Sequence, residues 1–421
     1  MKVLVVGSGG REHTLVWKIA QSSKVQKIYC TPGNGGISEY AECLPYSAMD
    51  IDGIVKFSKE KGIDLVIVAP DDPLAAGMVD CLGAAGITAF GPNREAAIIE
   101  SSKIFSKNLM KKYGIPTARY ETFDNYDHAI EYLRHQQYPI VVKADGLALG
   151  KGVIIAPGFD KAQEAINNMM FKKVFGSSGE RVVLEEFLTG TEITVMVFTD
   201  GKTIIPMLSS QDHKRVLDND MGLNTGGMGT FAPSRHYTNE VADYCMEKIF
   251  KPTIDALNKE GRMFKGVLYF GLILTNDGVK VIEYNARFGD PEAQVVIPLL
   301  KNDLIDIFEA VIDERLDKIK IEWDRRSAVC VVAASGGYPK KYEKGYEITG
   351  LEEAAAHPDI TIFHAGTVKK DDKYSTNGGR VLGVTALGND LPDAINNAYK
   401  GISKIHFKDM HYRKDIGKKG L

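Results

Sequence analysis

Short apolar runs alternate with amphipathic stretches through the first hundred residues. Lys2–Val6, Lys27–Cys30, Asp64–Ala69 and Thr88–Phe90 are rich in Val, Ile, Leu and aromatic residues and predict buried strands. Between them, Arg11–Gln21, Ile51–Lys61 and Met78–Ala85 predict helices. Alternating strands and helices give an α/β fold with a doubly wound parallel sheet. Ligands of such sheets sit beyond the carboxyl ends of the strands, here Gly7–Gly10, Thr31–Gly36 and Pro70–Asp72.

The pattern then changes. Ser101–Tyr113 predicts a helix closed by Gly114, with Pro116 two residues on. A small α/β unit follows from about Ala118 to Phe187. Strands are predicted at Thr191–Phe198, Thr203–Leu208, Lys265–Leu274 and Val279–Asn285, interrupted by a helix over Asn239–Glu260. Pro291–Asp313 reads as helical. After a break near Asp324–Ser327, Ala328–Ala333 predicts another strand, and the rest carries its own strand and helix signals. The expected units are an amino-terminal doubly wound domain (1–101), a helix plus lid subdomain (102–189), a central strand-rich catalytic domain (190–325) and a small carboxy-terminal α/β domain (326–421). No repeat or low-complexity linker separates them.

Composition narrows the function. With 421 residues, 44% hydrophobic and 25% charged, the chain is of the soluble globular class. A net charge of -3 and no stripe of basic and aromatic residues give no reason to expect a nucleic-acid partner. No apolar run reaches membrane-spanning length, and a glycine turn cuts the first one too short for a signal peptide. The final residues, GKKGL, show no lipidation signal. Cys30, Cys43, Cys81, Cys245 and Cys330 lack CxxC spacing, which argues against a disulfide framework and suits a cytoplasmic protein.

Candidate chemistry begins at VVKADGLALGKGV (141–153). The stretch departs from a P-loop because Asp145 stands at the first glycine position and Gly152 where a hydroxyl is needed. Val153-Ile154-Ile155-Ala156 favours a strand, so the segment predicts strand, glycine-rich turn, strand. Such a turn can fold over a triphosphate with Lys151 as a mobile cation; an ordinary hairpin is the plain alternative.

VLVVGSGGREH (3–13) falls short of a dinucleotide fingerprint, since Glu12 holds the third glycine position and no carboxylate promptly follows the second strand. A phosphate at the helix N-terminus remains natural there. In PGNGG, the glycines let backbone approach a ligand and Asn34 can bond sugar hydroxyls. Glu185, Glu186, Phe187 and Leu188 can face an adenine edge and Glu192 a ribose, although in isolation a solvated acidic strand end is the favoured reading. SSQDHKR (209–215) and NTGGMG (224–229) are polar islands, and His213 lacks a partner at metal-ligand spacing.

VIEYNARFGDPEAQ (281–294) is the sharpest signal. Strand alternation puts Glu283 and Asn285 on one face, an oxygen pair suited to Mg²⁺, with Arg287 following as a clamp for phosphoryl or carboxylate. Asp290 and Glu292 extend the acidic cluster, and a buried ion-pair network is the plain alternative.

In this order VLVVGSGGREH, PGNGG, KADGLALGKGV, EEFLTG, SSQDHKR, NTGGMG, EYNARFGDPE, TNGGRVLGVTALG (376–388) and YRKDIG (412–417) resemble the ATP-grasp superfamily. Within it they resemble the phosphoribosylamine–glycine ligase family, over essentially the whole chain. The resemblance implies an ATP-dependent carboxylate–amine ligase of purine biosynthesis, with Mg²⁺ or Mn²⁺ as cofactor. Its substrates would be ATP, glycine and 5-phosphoribosylamine.

By that resemblance Lys103 and Lys143 contact ATP phosphates, and Gly146–Gly152, including Gly150 and Lys151, close over them. Glu185, Glu186, Phe187 and Leu188 meet adenine, and Glu192 the ribose. Glu283 and Asn285 hold metal. Asp212, Lys214 and Arg287 act at the reacting groups. Gly9, Gly10, Asn34, Asn224, Gly226 and Asp290 complete the substrate site, and His213 is a candidate general base.

Two positions depart from the family pattern. GVLYFGLIL (266–274) lacks the extra carboxylate many ATP-grasp enzymes place there. Ala69-Pro70-Asp71 carries a shorter acid than the usual G-P-E. A monomer is expected, in transient contact with neighbouring pathway enzymes. The competing readings are a purine ligase using formate or bicarbonate, a nicotinamide-dependent oxidoreductase and a non-catalytic ATP-binding module. Glu12 counts against the second reading, and intact Glu283, Asn285 and Arg287 against the third.

Overall fold

The computed structural model describes residues 1–148 and 151–421. Its first layer is a five-stranded parallel sheet, ordered Glu42–Cys43, Lys27–Pro32, Lys2–Gly7, Leu65–Val68, Ala89–Phe90. Alternation along Lys2–Gly7 explains the double winding. Val3 and Val5 pack with Leu15, Val16 and Ile19 of the helix Gly10–Ile19. Leu4 and Val6 pack on the other side with Ile54 and Phe57 of the helix Ile51–Lys61.

Four antiparallel strands form the second unit, in the order Tyr120–Phe123, Val182–Glu186, Ile140–Ala144, Val153–Ala156. The helices Tyr126–Leu133 and Phe159–Ile166 share a separate apolar core with them. The expected strand–turn–strand thus flanks the glycine loop. Gly150 and Leu149 lie outside the described residues.

The central sheet runs Ile204–Pro206, Thr191–Thr199, Gly266–Thr275, Gly278–Asn285, all antiparallel. A further five-stranded sheet is ordered Gln211–Asp212, Gly229–Ala232, Ser327–Ala334, Arg380–Gly388, Ile360–His364. Its first two strands come from the polar islands near residues 209–232, so this sheet joins those islands to the last hundred residues. A small hairpin, Arg215–Leu217 with Met221–Asn224, projects between them.

Three helical expectations change. The helix expected over Ser101–Tyr113 begins at Lys103 and follows a separate, unexpected helix, Arg94–Ser101, because Ser102 is extended and its hydroxyl caps the later helix at Phe105. The span Asn239–Glu260 is helical but widens to π turns over Met246–Phe250. Pro291–Asp313 is not one helix. Ala293–Val296 and the 3₁₀ turn Ile297–Leu299 end at an extended Leu300, and Asp303 caps a new helix, Leu304–Ile312. The apolar periodicity continues across the break, which is why the pattern conceals it.

Candidate active site

The strand Gly278–Asn285 organises the site. Val279 and Val281 face the core, so strict alternation would bury Glu283 as well. A bulge intervenes: Gly271 pairs with Glu283 while the next residue, Leu272, pairs with Val281. The extra residue turns Tyr284 inward and sends Glu283 and Asn285 to the opposite face, as alternation after the bulge requires.

Glu283 Oε1 lies 3.2 Å from Lys214 Nζ. Lys214 pulls the Glu283 carboxyl down to about 2, against its burial. Reciprocally, Glu283 pushes Lys214 well above its ordinary value. The Asn285 amide oxygen is 3.4 Å from Arg287 Nη2. An ionised carboxylate and an amide oxygen on one strand face fit a hard divalent cation that fills its other positions with phosphate and water. Among the described residues no group of three or more His, Cys, Asp or Glu side chains converges in metal-binding fashion.

The lysines approach from the neighbouring unit. Lys103, at the first turn of its helix, donates to the Gly146 carbonyl at 3.0 Å. Burial lowers its pKa, with Glu283 pulling the other way. Lys143 donates to the Ile282 carbonyl at 3.2 Å and pairs with Glu185 at 3.0 Å. Lys107, which the motifs did not single out, pairs with Glu185 at 3.0 Å and is lowered to about 8 by burial.

Glu185 is therefore no solvated strand end. It is 3% exposed, and its Oε1 has no hydrogen-bond partner among the described residues. Glu186 accepts from the Arg119 backbone and side chain. Phe187 and Glu192 are exposed, and Leu188 is half-buried.

Asp145 anchors the loop. It accepts from the Ser102 hydroxyl and the Ile104 amide, and pairs with Arg181 at 2.6 Å. Gly146 packs on Ser178, where a Cβ would collide, and Gly152 packs on Ala148. Lys151 is exposed. A cleft of about 590 Å³ lies beside Asp145, Gly146, Ser101, Ser178 and Arg181.

Arg287 is clamped by acids. Glu100 is 2.8 Å away and Asp71 3.8 Å, while Arg287 Nε has no partner among the described residues. Burial lifts Glu100 to about 7, although Arg287 opposes it. Burial also works against ionising Asp71, yet Arg287 and Arg11 hold it below the usual carboxylate range.

Deeper in, Glu292 is buried and accepts from Tyr269 at 2.9 Å. Burial and the nearby Glu292 raise Asp212 well above its ordinary value. Asp290 bonds Gln294 at 2.8 Å and Arg380 at 3.2 Å, and Arg380 also donates to the Gly226 carbonyl. Asn224 is paired with Arg215 in the hairpin.

Two expectations are corrected by hydrogen bonding. Asn34 donates to the carbonyls of Ser8 and His364 and accepts from Gly36 and Ile37, so its amide staples the loop instead of reading sugar hydroxyls. His213 is fully buried with its ring between the Gly229 carbonyl and the Gly417 amide, and burial lowers it to about 4. With both ring nitrogens engaged by backbone groups, it is not positioned as a general base.

Gly9 and Gly10 lie against Asp290 and Gln294 respectively, an approach a Cβ would obstruct. The Gly9 amide is already bonded by Glu12 at 2.6 Å. Lys107, Glu100, Asp145, Glu292 and Arg380 were not assigned roles from sequence. Their partners are distant along the chain, although Asp145, Glu292 and Arg380 fall inside quoted motifs.

Sequence models of the phosphoribosylglycinamide synthetase N, ATP-grasp (A) and C domains match residues 1–100, 101–293 and 328–419. A phosphoribosylamine–glycine ligase of Caldanaerobacter subterraneus subsp. tengcongensis is 50% identical, covering 99% of each chain. The trifunctional purine biosynthetic protein adenosine-3 of Gallus gallus is 48% identical over all of this chain and 42% of its own length. The crystal structure of phosphoribosylamine–glycine ligase from Thermotoga maritima superposes with a TM-score of 0.83 at 33% identity, covering 99% of this chain and 100% of that one. Biotin carboxylase of Campylobacter jejuni shares the fold at 14% identity, with a TM-score of 0.76 over 99% of this chain and 94% of that one. The chain belongs to the phosphoribosylglycinamide synthetase family, built around an ATP-grasp domain.

Proposed function

We propose that this protein joins glycine to 5-phosphoribosylamine, consuming ATP and releasing glycinamide ribonucleotide, ADP and phosphate, in de novo purine biosynthesis. The observation that carries the mechanism is the bulged strand end. It sets an ionised Glu283 beside Asn285, between Lys214 and the Lys103–Lys143 pair. The family membership supports the choice of glycine and the amine.

A carboxylate resists attack because its charge repels nucleophiles and oxide cannot leave. Transfer of the γ-phosphoryl group to a glycine carboxylate oxygen gives glycyl phosphate and ADP. The amine nitrogen then attacks the carbonyl carbon, the C–O bond to phosphate breaks, and the nitrogen gives up a proton. Such transfer needs alignment and charge neutralisation more than a covalent enzyme group. Lys103, Lys143 and Lys151 bind phosphate oxygens; Arg287 and Lys214 hold the reacting carboxylate. Glu283 and Asn285 would hold Mg²⁺ or Mn²⁺, which supplies further neutralisation of the phosphates.

Asp212 and Glu292 lie together, and an ammonium group set beside them would offset the repulsion that raises Asp212, which favours glycine over formate or bicarbonate. Glu186–Leu188 flank adenine and Glu192 the ribose, with Gly146–Gly152 closing over the phosphates and excluding water from glycyl phosphate. Gly9, Gly10, Asn224, Gly226 and Asp290 border the amine substrate.

The working units are 1–101, 102–189, 190–325 and 326–421. The protein acts as a cytoplasmic monomer in transient contact with neighbouring enzymes. The fused Gallus relative supports that proximity, and among the described residues no helix is long and apolar enough to cross a membrane.

The test is ADP release with ATP, Mg²⁺ and phosphoribosylamine generated in place, offering glycine, formate or bicarbonate in turn. ADP formed only with glycine and the amine together, in step with amide product, is expected. ADP with another acid would overturn the substrate, and none from protein that still binds ATP would favour a regulatory module.

A further inference from the structure

The motif YRKDIG (412–417) lies far along the chain from the nucleotide-binding motifs, yet the structure gives it a definite place. It runs behind the segment that carries Asp212 and Lys214. Arg413 is 0% exposed. Its Nη1 donates to the Arg215 carbonyl and to Asp220 Oδ1, both at 3.0 Å. Its Nε and Nη2 fork onto the two oxygens of Asp415, each at 2.7 Å.

Asp415 also accepts the Asn219 amide at 2.9 Å, and Asp218 accepts the Lys414 amide at 2.8 Å. Lys419 pairs with Asp220 at 2.5 Å. The His411 ring lies 2.7 Å from the Val216 carbonyl. Behind the neighbouring residue, the His213 ring bridges the Gly229 carbonyl and the Gly417 amide.

These contacts hold residues 213–220, and Lys214 of the same segment meets Glu283 at 3.2 Å. An isolated two-stranded hairpin is marginal in water. This one exposes Leu217, Met221 and Leu223, so it has little apolar burial to hold it. Only Val216 packs inward, against Met228 and Ala334, and the ions behind the hairpin supply the rest of its register and tilt. A buried guanidinium satisfied on a rigid planar fork fixes direction as well as distance, which an ammonium does not.

We propose that Arg413, acting through Asp415 and Asp220, is a positioning residue that sets Lys214 against Glu283 from behind the hairpin. The inference rests on the reading in which Lys214 serves the reacting carboxylate. Arg413 touches no substrate. Misplacement of a binding group by about 1 Å can cost on the order of 100-fold in rate.

The test uses the full chain with Asp220→Asn and Arg413→Lys. Asp220→Asn removes one charge at a left-handed position that Asn tolerates, so it should fold even if Arg413→Lys does not. The expected result is a kcat lowered roughly tenfold by Asp220→Asn, with the ATP KM and melting temperature unchanged and faster amide hydrogen exchange over residues 213–226. Arg413→Lys should lose more.

Wild-type kcat together with wild-type exchange in Asp220→Asn overturns the proposal. So does a loss shared equally by the ATP KM and the melting temperature. If the wild-type protein forms no ADP with glycine and the amine, the activity reading falls. The exchange measurement still decides the bracket: unchanged rates over 213–226 sink it.

Discussion

Glu283 faces a choice of cation. Lys214 holds it ionised, and a metal ion would have to share or displace that lysine. Removing the carboxylate therefore does two things at once: it deletes a metal donor and leaves Lys214 without its partner. Glu283→Ala should abolish ADP formation at any Mg²⁺ concentration, measured by coupled ADP release. Near-normal rates at saturating Mg²⁺ would remove Glu283 from the metal site. Glu292 argues differently. Its contact with Tyr269 is internal, and its charge bears on Asp212 rather than on Lys214. Glu292→Gln keeps the shape and removes the charge. The glycine KM should rise about tenfold, as expected for one charge-assisted contact of ~1.5 kcal/mol, with the ATP KM unchanged. An unchanged glycine KM would separate Glu292 from ammonium recognition.

Elements position these side chains through their ends. Ser102 closes one helix and caps the next, and the same hydroxyl donates to Asp145. Ser102→Ala loses the cap of the Lys103 helix, at about 1 kcal/mol, and frees Asp145 from the residue beside Lys103. A melting temperature lowered by a few degrees together with a raised ATP KM is expected. A stability loss with wild-type ATP KM would make the link purely structural.

That junction also shows where sequence reading stops. Ile51–Lys61 is legible to the residue because Asp50 caps its start and Gly62, left-handed, ends it. The cap at Ser102 lies inside a continuous helical pattern, so Arg94–Ser101 and its Glu100 went unread. The bulge before Glu283 is equally silent in the pattern, since Glu283 and Asn285 share a face with or without it. Motif residues were visible because their neighbours in sequence are their neighbours in space. Lys107 and Glu100 answer to Glu185 and Arg287, many residues away, and no periodicity signals that.

At the scale of the whole molecule, buried histidines tie separate layers together and set how the fold responds to acid. His13 on the first helix accepts the His364 amide at 2.7 Å, linking the parallel sheet to the last antiparallel one. Burial, then the neighbouring His364, lowers His13 to about 3, and burial lowers His364 to about 4. His213, lowered to about 4 mainly by burial, joins the strand Gly229–Ala232 to Gly417. In the unfolded chain each titrates near 6.5. As pH falls below about 6.5, the unfolded chain takes up protons that the folded protein refuses, so stability declines until the folded values are passed. Each histidine adds up to about 1.4 kcal/mol per pH unit within that window. Glu100 works in the opposite direction. Its carboxyl, raised to about 7, makes stability fall as pH rises from 4.5 to 7. Asp212, also raised, works the same way as Glu100, but three histidines outweigh these two carboxyls, so the melting temperature should drop from pH 6.5 to pH 4. The decline should be shallower in His213→Gln, which keeps a buried polar group but cannot take up the proton. A wild-type melting curve flat between pH 6.5 and pH 4, or a His213→Gln slope equal to wild type, would mean that these rings stay accessible to protons in the folded protein.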